Sequence, residues 1–238
     1  MSPVAATSQQ ASAAQIQDLD SIFRLAALSG PEGAAWVGEF LAPEACRSLS
    51  RSRRAIGLLR QGRIEAGRRQ LDLLEAEMSG LHPDLLEVVQ RALYSARAYQ
   101  LYREDDLERA DAALGLADEA VSRAIAKRPF LMGLANHSYD FCLQRARIAR
   151  KSWRWDEMSR HIERGRGILD NRVPICRLAD GKEIFVSSVD EFFRSISLDD
   201  TVAPQEVADL VDDERRRFLF EYAVRENYVL PGFVVPLP

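Results

Sequence analysis

The residues of this chain best suited to nucleophilic, general-base or metal chemistry are His82, His137 and His161, together with Cys46, Cys142 and Cys176. Helical zinc proteases place two histidines four residues apart around a glutamate, structural zinc sites pair their cysteines, and phosphate loops cluster glycine. None of those spacings occurs in the chain. His137, Asp140 and Cys142 lie close together, and His161 can return past Cys142 across a hairpin turning near Trp153. A metal or thiolate site can be drawn from them, but Cys142 stands five residues after His137, on another face of a helix. The cysteine therefore reads as a small core residue and the histidine as a hydrogen-bonded packing residue. An all-α enzyme with a groove site near His137 and Asp140 is the last of three functional readings, and no catalytic residue, metal ligand or cofactor is assigned.

Charge is the more informative pattern. Lys127, Lys151 and Lys182 are the only lysines among 32 basic residues, and the rest are arginine. Codon usage in a GC-rich bacterial genome accounts for that bias, because it runs along the whole chain. The net charge of −4 argues against a surface that coats nucleic acid or membrane throughout. Charge comes in blocks: −4 over 1–45, +7 over 46–70, −7 over 71–126, +7 over 127–182 and −7 over 183–238. Arg47, Arg51 and Arg54 share one helix face and form a candidate anion-binding set; Arg147, Arg150, Lys151 and Arg154 cluster near Trp153. The leading account of the blocks is mutual neutralisation between neighbouring segments. A second is capture of an acidic peptide or a carboxylate. A third, contact of the Arg47–Arg69 region with a phosphate backbone, makes a nucleic-acid-binding regulator the second functional reading.

These side chains have to be positioned by helices. Residues 1–13 are small and polar and read as a flexible tail. Helices are expected over Ala14–Leu28, Glu32–Leu41, Pro43–Gln61, Ile64–Met78, Pro83–Arg103, Asp106–Lys127, Pro129–Ser152 and Trp155–Leu169. Within 106–127, Leu107, Ala110, Leu114, Ala117, Val121 and Ala124 recur at spacings of three and four, which makes one apolar stripe of mostly small residues. The preceding segment, LLEVVQRALYSARAYQLY, is apolar on more than one side, as a helix between two neighbours would be. After Asn171 the segment VPICRLADGKEIFVSS carries a hairpin signal at Asp180-Gly181. A capping-box start then leads into DEFFRSI, a helix is expected over Pro204–Tyr228, and VLPGFVVPLP forms an extended apolar tail.

Tyr94, Ala98, Leu101, Asp105-Asp106-Leu107, Ala110, Leu114 and Ala117 form a pattern that resembles the tetratricopeptide repeat, with Asp105 at the turn. Ala55, Leu58, Gly62-Arg63-Ile64, Gly67 and Leu71 make a similar copy, and Ala146, Ala149, Trp153-Arg154-Trp155, Met158, Ile162 and Gly165 a looser third. The turn positions 62, 105 and 153 are 43 and 48 residues apart, against about 34 in the standard repeat. The early leucine position, eight residues before each turn, holds Arg54, Arg97 and Arg145. The resemblance implies an all-α, tetratricopeptide-like α-solenoid of stacked antiparallel hairpins over 14–171, and residues 172–238 add the β-hairpin, helix and extended tail. It further implies that the first helix of each pair lines a concave groove. Tyr99, Tyr102 and Arg103 then fall on the groove, Arg147, Arg150 and Lys151 take the corresponding positions of the next unit, and Asp140 lies two turns earlier. Those seven residues are the expected partner-binding set. The expected role is an adaptor, chaperone or regulator that binds a protein or peptide segment, acidic in character, with self-association through open ends. No apolar run reaches the length of a membrane span, and MSPVAATSQQASAAQ has neither the charge nor the apolar core of a signal peptide, so a cytoplasmic location is expected.

Overall fold

A computed structural model describes residues 29–40, 43–178 and 180–188, with Ala26 and Glu191. The expected polar tail at 1–13 and the helix at Pro204–Tyr228 lie outside the described residues, as does the VLPGFVVPLP tail. The expected helices at Ala14–Leu28 and DEFFRSI lie outside them too, save Ala26 and Glu191.

Helix α1 spans Pro31–Phe40, α2 Pro43–Arg60, α3 Ile64–Glu77, α4 Pro83–Arg103 and α5 Leu107–Lys127. A 3-10 segment over Pro129–Asn136 leads into α6, His137–Lys151, and α7 follows at Trp155–Leu169. Proline opens α1, α2 and α4, where its missing N–H removes a group that no helix turn would have satisfied. Side chains cap two starts: the His82 ring accepts from the Asp84 N–H, and the Asp106 carboxylate accepts from the Arg109 N–H. The expected continuous helix from Pro129 is broken. Leu131 leaves helical geometry (φ −87°, ψ 15°), and the apolar run Leu131–Ala135 is buried as a tight 3-10 connection.

Each of the three helix pairs, α2–α3, α4–α5 and α6–α7, is closed by one turn geometry. Gly62, Asp105 and Trp153 all adopt left-handed backbone, with φ of 78°, 70° and 60°. In each turn the next N–H donates back five residues, Arg63 to Leu58, Asp106 to Leu101 and Arg154 to Ala149, at 2.9 to 3.0 Å. This is the closure that satisfies orphan carbonyls at a helix end. The residue opening each second helix repeats too, with ψ of 63°, 74° and 73° at Arg63, Asp106 and Arg154. The turn positions read from the sequence therefore share one conformation, although three different side chains occupy them. Glycine adopts it without strain and aspartate tolerates it, whereas tryptophan does so at a cost of about 1 kcal/mol.

Packing follows the stripes. Ala110, Leu114, Ala117, Val121 and Ala124 are buried along α5, and α4 is buried on several sides, packing against α2, α3 and α5. Ala55, Ala98 and Ala146, each seven residues before a turn, are all buried, as alanine must be where helix backbones approach closely. Ion pairs span the joints between helix pairs. Arg97 binds Asp72 at 2.9 Å and Glu75 at 2.7 Å, and Arg145 binds Asp111 at 3.1 Å. The arginine that replaces the repeat's early leucine thus ties a first helix to the second helix of the preceding pair. Arg68–Glu104 does the same at 2.7 Å, while Lys127–Glu87 and Arg128–Asp84 close the far end of α4–α5. After α7, β1 (Cys176–Arg177) and β2 (Glu183–Ile184) pair antiparallel around Gly181, which has a φ of 85°. The fold is thus mostly helical with one small two-stranded sheet among the described residues, and none of those helices is long and apolar enough to cross a membrane.

Two substitutions check this account. A Cβ at Gly67 would sit 2.7 Å from the fully buried Leu59 side chain, so Gly67→Ala is expected to lower stability by about 1 to 2 kcal/mol in urea denaturation, although alanine favours helix. Trp153→Gly is expected to raise it by about 0.5 to 1 kcal/mol, because the left-handed backbone is relieved and little burial is lost at an exposed residue.

Candidate functional site

The first helices of the three pairs meet around one half-enclosed cavity of about 330 Å³. Ile56 and Arg60 come from α2, Ser95, Ala98, Tyr99 and Tyr102 from α4, and Gln144, Arg147 and Ile148 from α6. Ile56, Tyr99 and Arg147 each stand six residues before their turn, so one register position supplies a wall from every pair. The Tyr99 and Tyr102 rings are 6.4 Å apart and 20° from parallel, which presents a flat aromatic side. The charged groups in this lining are two guanidinium groups, and no carboxylate joins them among the described residues. An anion entering such a site meets guanidinium donors from two helices.

Two clasps hold the turn end of this cavity. Arg103, two residues before Asp105, donates to the Leu59 carbonyl of α2 at 2.9 Å. Lys151, two residues before Trp153, donates to the Tyr102 carbonyl of α4 at 2.8 Å. The acceptors also match, since each lies three residues before the turn of the preceding pair. A cation at the negative end of a neighbouring helix satisfies a carbonyl and opposes the helix dipole. Lys151 also binds Asp105 at 2.9 Å and lies 4.7 Å from the centre of the Tyr102 ring, and Arg103 reaches the Tyr99 hydroxyl at 3.4 Å.

Of the seven residues expected to bind a partner, Tyr99, Tyr102 and Arg147 line the cavity. Arg103 and Lys151 fix its rim, and Arg150 is exposed on α6. Asp140 is not brought there: it lies near the start of α6, 3.3 Å from His137. The other expected anion set, Arg47, Arg51 and Arg54, lies on α2. Arg51 binds Glu77 at 2.9 Å, Arg54 is exposed on α2, and the Arg47 side chain lies outside the described residues. Sequence reasoning passed over Arg60, although it stands two residues before its turn as Arg103 and Lys151 do. It also missed Gln144 and Ser95, whose types carried no signal.

Of the residues drawn together as a catalytic set, His137 and Asp140 pair at 3.3 Å near the start of α6. No group of three His, Cys, Asp or Glu is placed to hold a metal ion among the described residues. Burial and the nearby Arg145 lower the pKa of His161, so that ring is neutral near pH 7. Burial pushes the Cys142 thiol up to about 11 and the Cys176 thiol to about 12, which disfavours the thiolate a nucleophile needs. Asp118 sits by a trough of about 980 Å³ between α5, Arg164 and the chain at 173–178, and its pKa is raised by burial against the pull of Arg145 and Arg164. Protonation of that carboxyl favours the folded state, so its contribution to stability is present at low pH and lost as pH rises through the raised pKa.

Cys142 and Cys176 are therefore expected to resist a thiol reagent at pH 8 in the folded protein and to react fully in denaturant; peptide mapping after labelling with and without urea reads this directly. Compared with known proteins, the chain matches no family model, no curated protein and no solved structure.

Proposed function

We propose that the cavity between α2, α4 and α6 is a groove that holds an acidic segment of a protein or peptide, and that the chain acts as a cytoplasmic adaptor, chaperone or regulator. The observation that carries the reading is the cavity's lining: one position from each of the three first helices, an aromatic side made by Tyr99 and Tyr102, and Arg60 and Arg147 as its charged groups. Tyrosine and arginine provide large contact areas and charge-assisted bonds, which makes them frequent anchors of recognition. Carbonyls and acidic side chains elsewhere in the structure are matched by cations from neighbouring helix pairs, so the basic lining is not a general feature of the surface.

The shared turn geometry and the reaching-back cations support reading the three pairs as a divergent tetratricopeptide-like α-solenoid. The 43- and 48-residue spacings then reflect longer helices within each unit. A stack of this kind leaves its ends open, which is compatible with self-association. The pairing of Arg51 and Arg68 with Glu77 and Glu104 weakens the case for a phosphate-binding face on α2–α3.

The experiment is anisotropy with fluorescein-labelled glutamate-rich peptide at low salt. Wild type is expected to bind it, and a charge-reversing Arg60→Glu, Arg147→Glu variant to bind at least about tenfold more weakly, with the difference shrinking as salt is added. Binding of the same peptide by wild type and variant alike would remove the groove from the account. Preference for an arbitrary DNA duplex over the peptide would replace it with the nucleic-acid reading.

A further inference from the structure

Trp153 breaks a local rule without a gain inside the fold. It holds left-handed backbone at φ 60°, where the equivalent turns use glycine and aspartate, and 79% of its surface is exposed. Trp155 is 50% exposed, and the two rings stand edge to face with centres 5.9 Å apart. Large aromatic surface in water combined with strained backbone is the combination found where binding, rather than stability, is served.

The position of the pair suggests what it serves. Arg147, in the cavity wall, and the exposed Arg150 stand three residues apart near the end of α6, and Trp153 follows three residues later in the turn beyond it. At about 1.5 Å per helical residue, the backbone rises roughly 9 Å along the axis from Arg147 to Trp153. An extended strand covers that in about three residues at about 3.3 Å each. Arg150 lies between them in the chain and is exposed.

We propose that Trp153 and Trp155 are a second anchor of the same groove, taking an aromatic or apolar residue of an extended acidic segment about three residues from the carboxylate held near Arg60 and Arg147. This rests on the groove reading and adds a register to it. The occupant is an extended peptide, because the guanidinium groups near the end of α6 select an anionic chain and the exposed indoles select an apolar side chain at its end.

The test uses fluorescein-labelled Gly-Ser peptides that carry a Glu-Glu pair, either alone or with one phenylalanine placed one to six residues to either side. On the full chain, phenylalanine about three residues from the pair is expected to tighten binding about tenfold over the pair alone, and other spacings to add less. In a Trp36→Phe background, which leaves only the two exposed indoles, that peptide alone is expected to shift tryptophan emission. Trp153→Ala with Trp155→Ala is expected to abolish the increment and to retain binding of the Glu-Glu peptide. Trp153→Gly, expected to fold at least as well as wild type, guards against loss through misfolding. Equal affinity at every spacing, or an increment that survives both tryptophan substitutions, overturns the second anchor and leaves the groove standing. Failure of the Glu-Glu peptide to bind wild type overturns both.

Discussion

An α-helix ends in carbonyl groups that its own backbone cannot satisfy, and stacking helix pairs side by side brings those ends together. Here a turn N–H and a cation share such a carbonyl twice in the same way: a cation two residues before one turn donates to the carbonyl three residues before the preceding turn. Arg103 joins α4 to α2, and Lys151 joins α6 to α4. These contacts set how far apart the three first helices stand at their turn ends, and the cavity lies between those helices. The Arg97 and Arg145 ion pairs act at the neighbouring joints, each linking a first helix to the second helix of the pair before. Cavity lining and scaffold are therefore built from one register.

That register also explains why the chain departs from the spacing of the repeat it resembles. Both the turn and the first residue of the second helix are conserved in geometry among the three pairs, while the helices between turns vary and the connection at Pro129–Asn136 is a buried 3-10 segment. Extra length is taken up away from the turns, where it does not disturb the positions facing the cavity. Backbone hydrogen bonding, not side-chain identity, is what repeats: glycine, aspartate and tryptophan occupy the same left-handed position. Tryptophan is the costly choice, and its exposure places the cost on the surface.

Three titratable groups away from the cavity are shifted toward their neutral forms. Cys142 and Cys176 are held as thiols by burial, and Asp118 is pushed toward its neutral form beside Arg145 and Arg164. Each of these shifts comes chiefly from desolvation, which disfavours charge. An interior arranged for nucleophilic chemistry would move the thiols the other way.

The sequence by itself determined the helices, the three turn positions and the burial of the alanine stripe, because these depend on periodicity and on local backbone preference within a few residues. It also marked Tyr99, Tyr102 and Arg147, since a fixed distance from each turn assigns a residue to a helix face. Tertiary structure alone decided that Arg60 joins that lining, that Arg51 is spent on Glu77, and that Asp140 stays at the far end of α6 with His137. It alone broke the expected helix after Pro129, where burial of Leu131–Ala135 outweighed their helical pattern. Which arginine pairs with which carboxylate, and which of them lines a cavity, depends on residues 20 to 50 positions away that fold against it, and no local pattern carries that information.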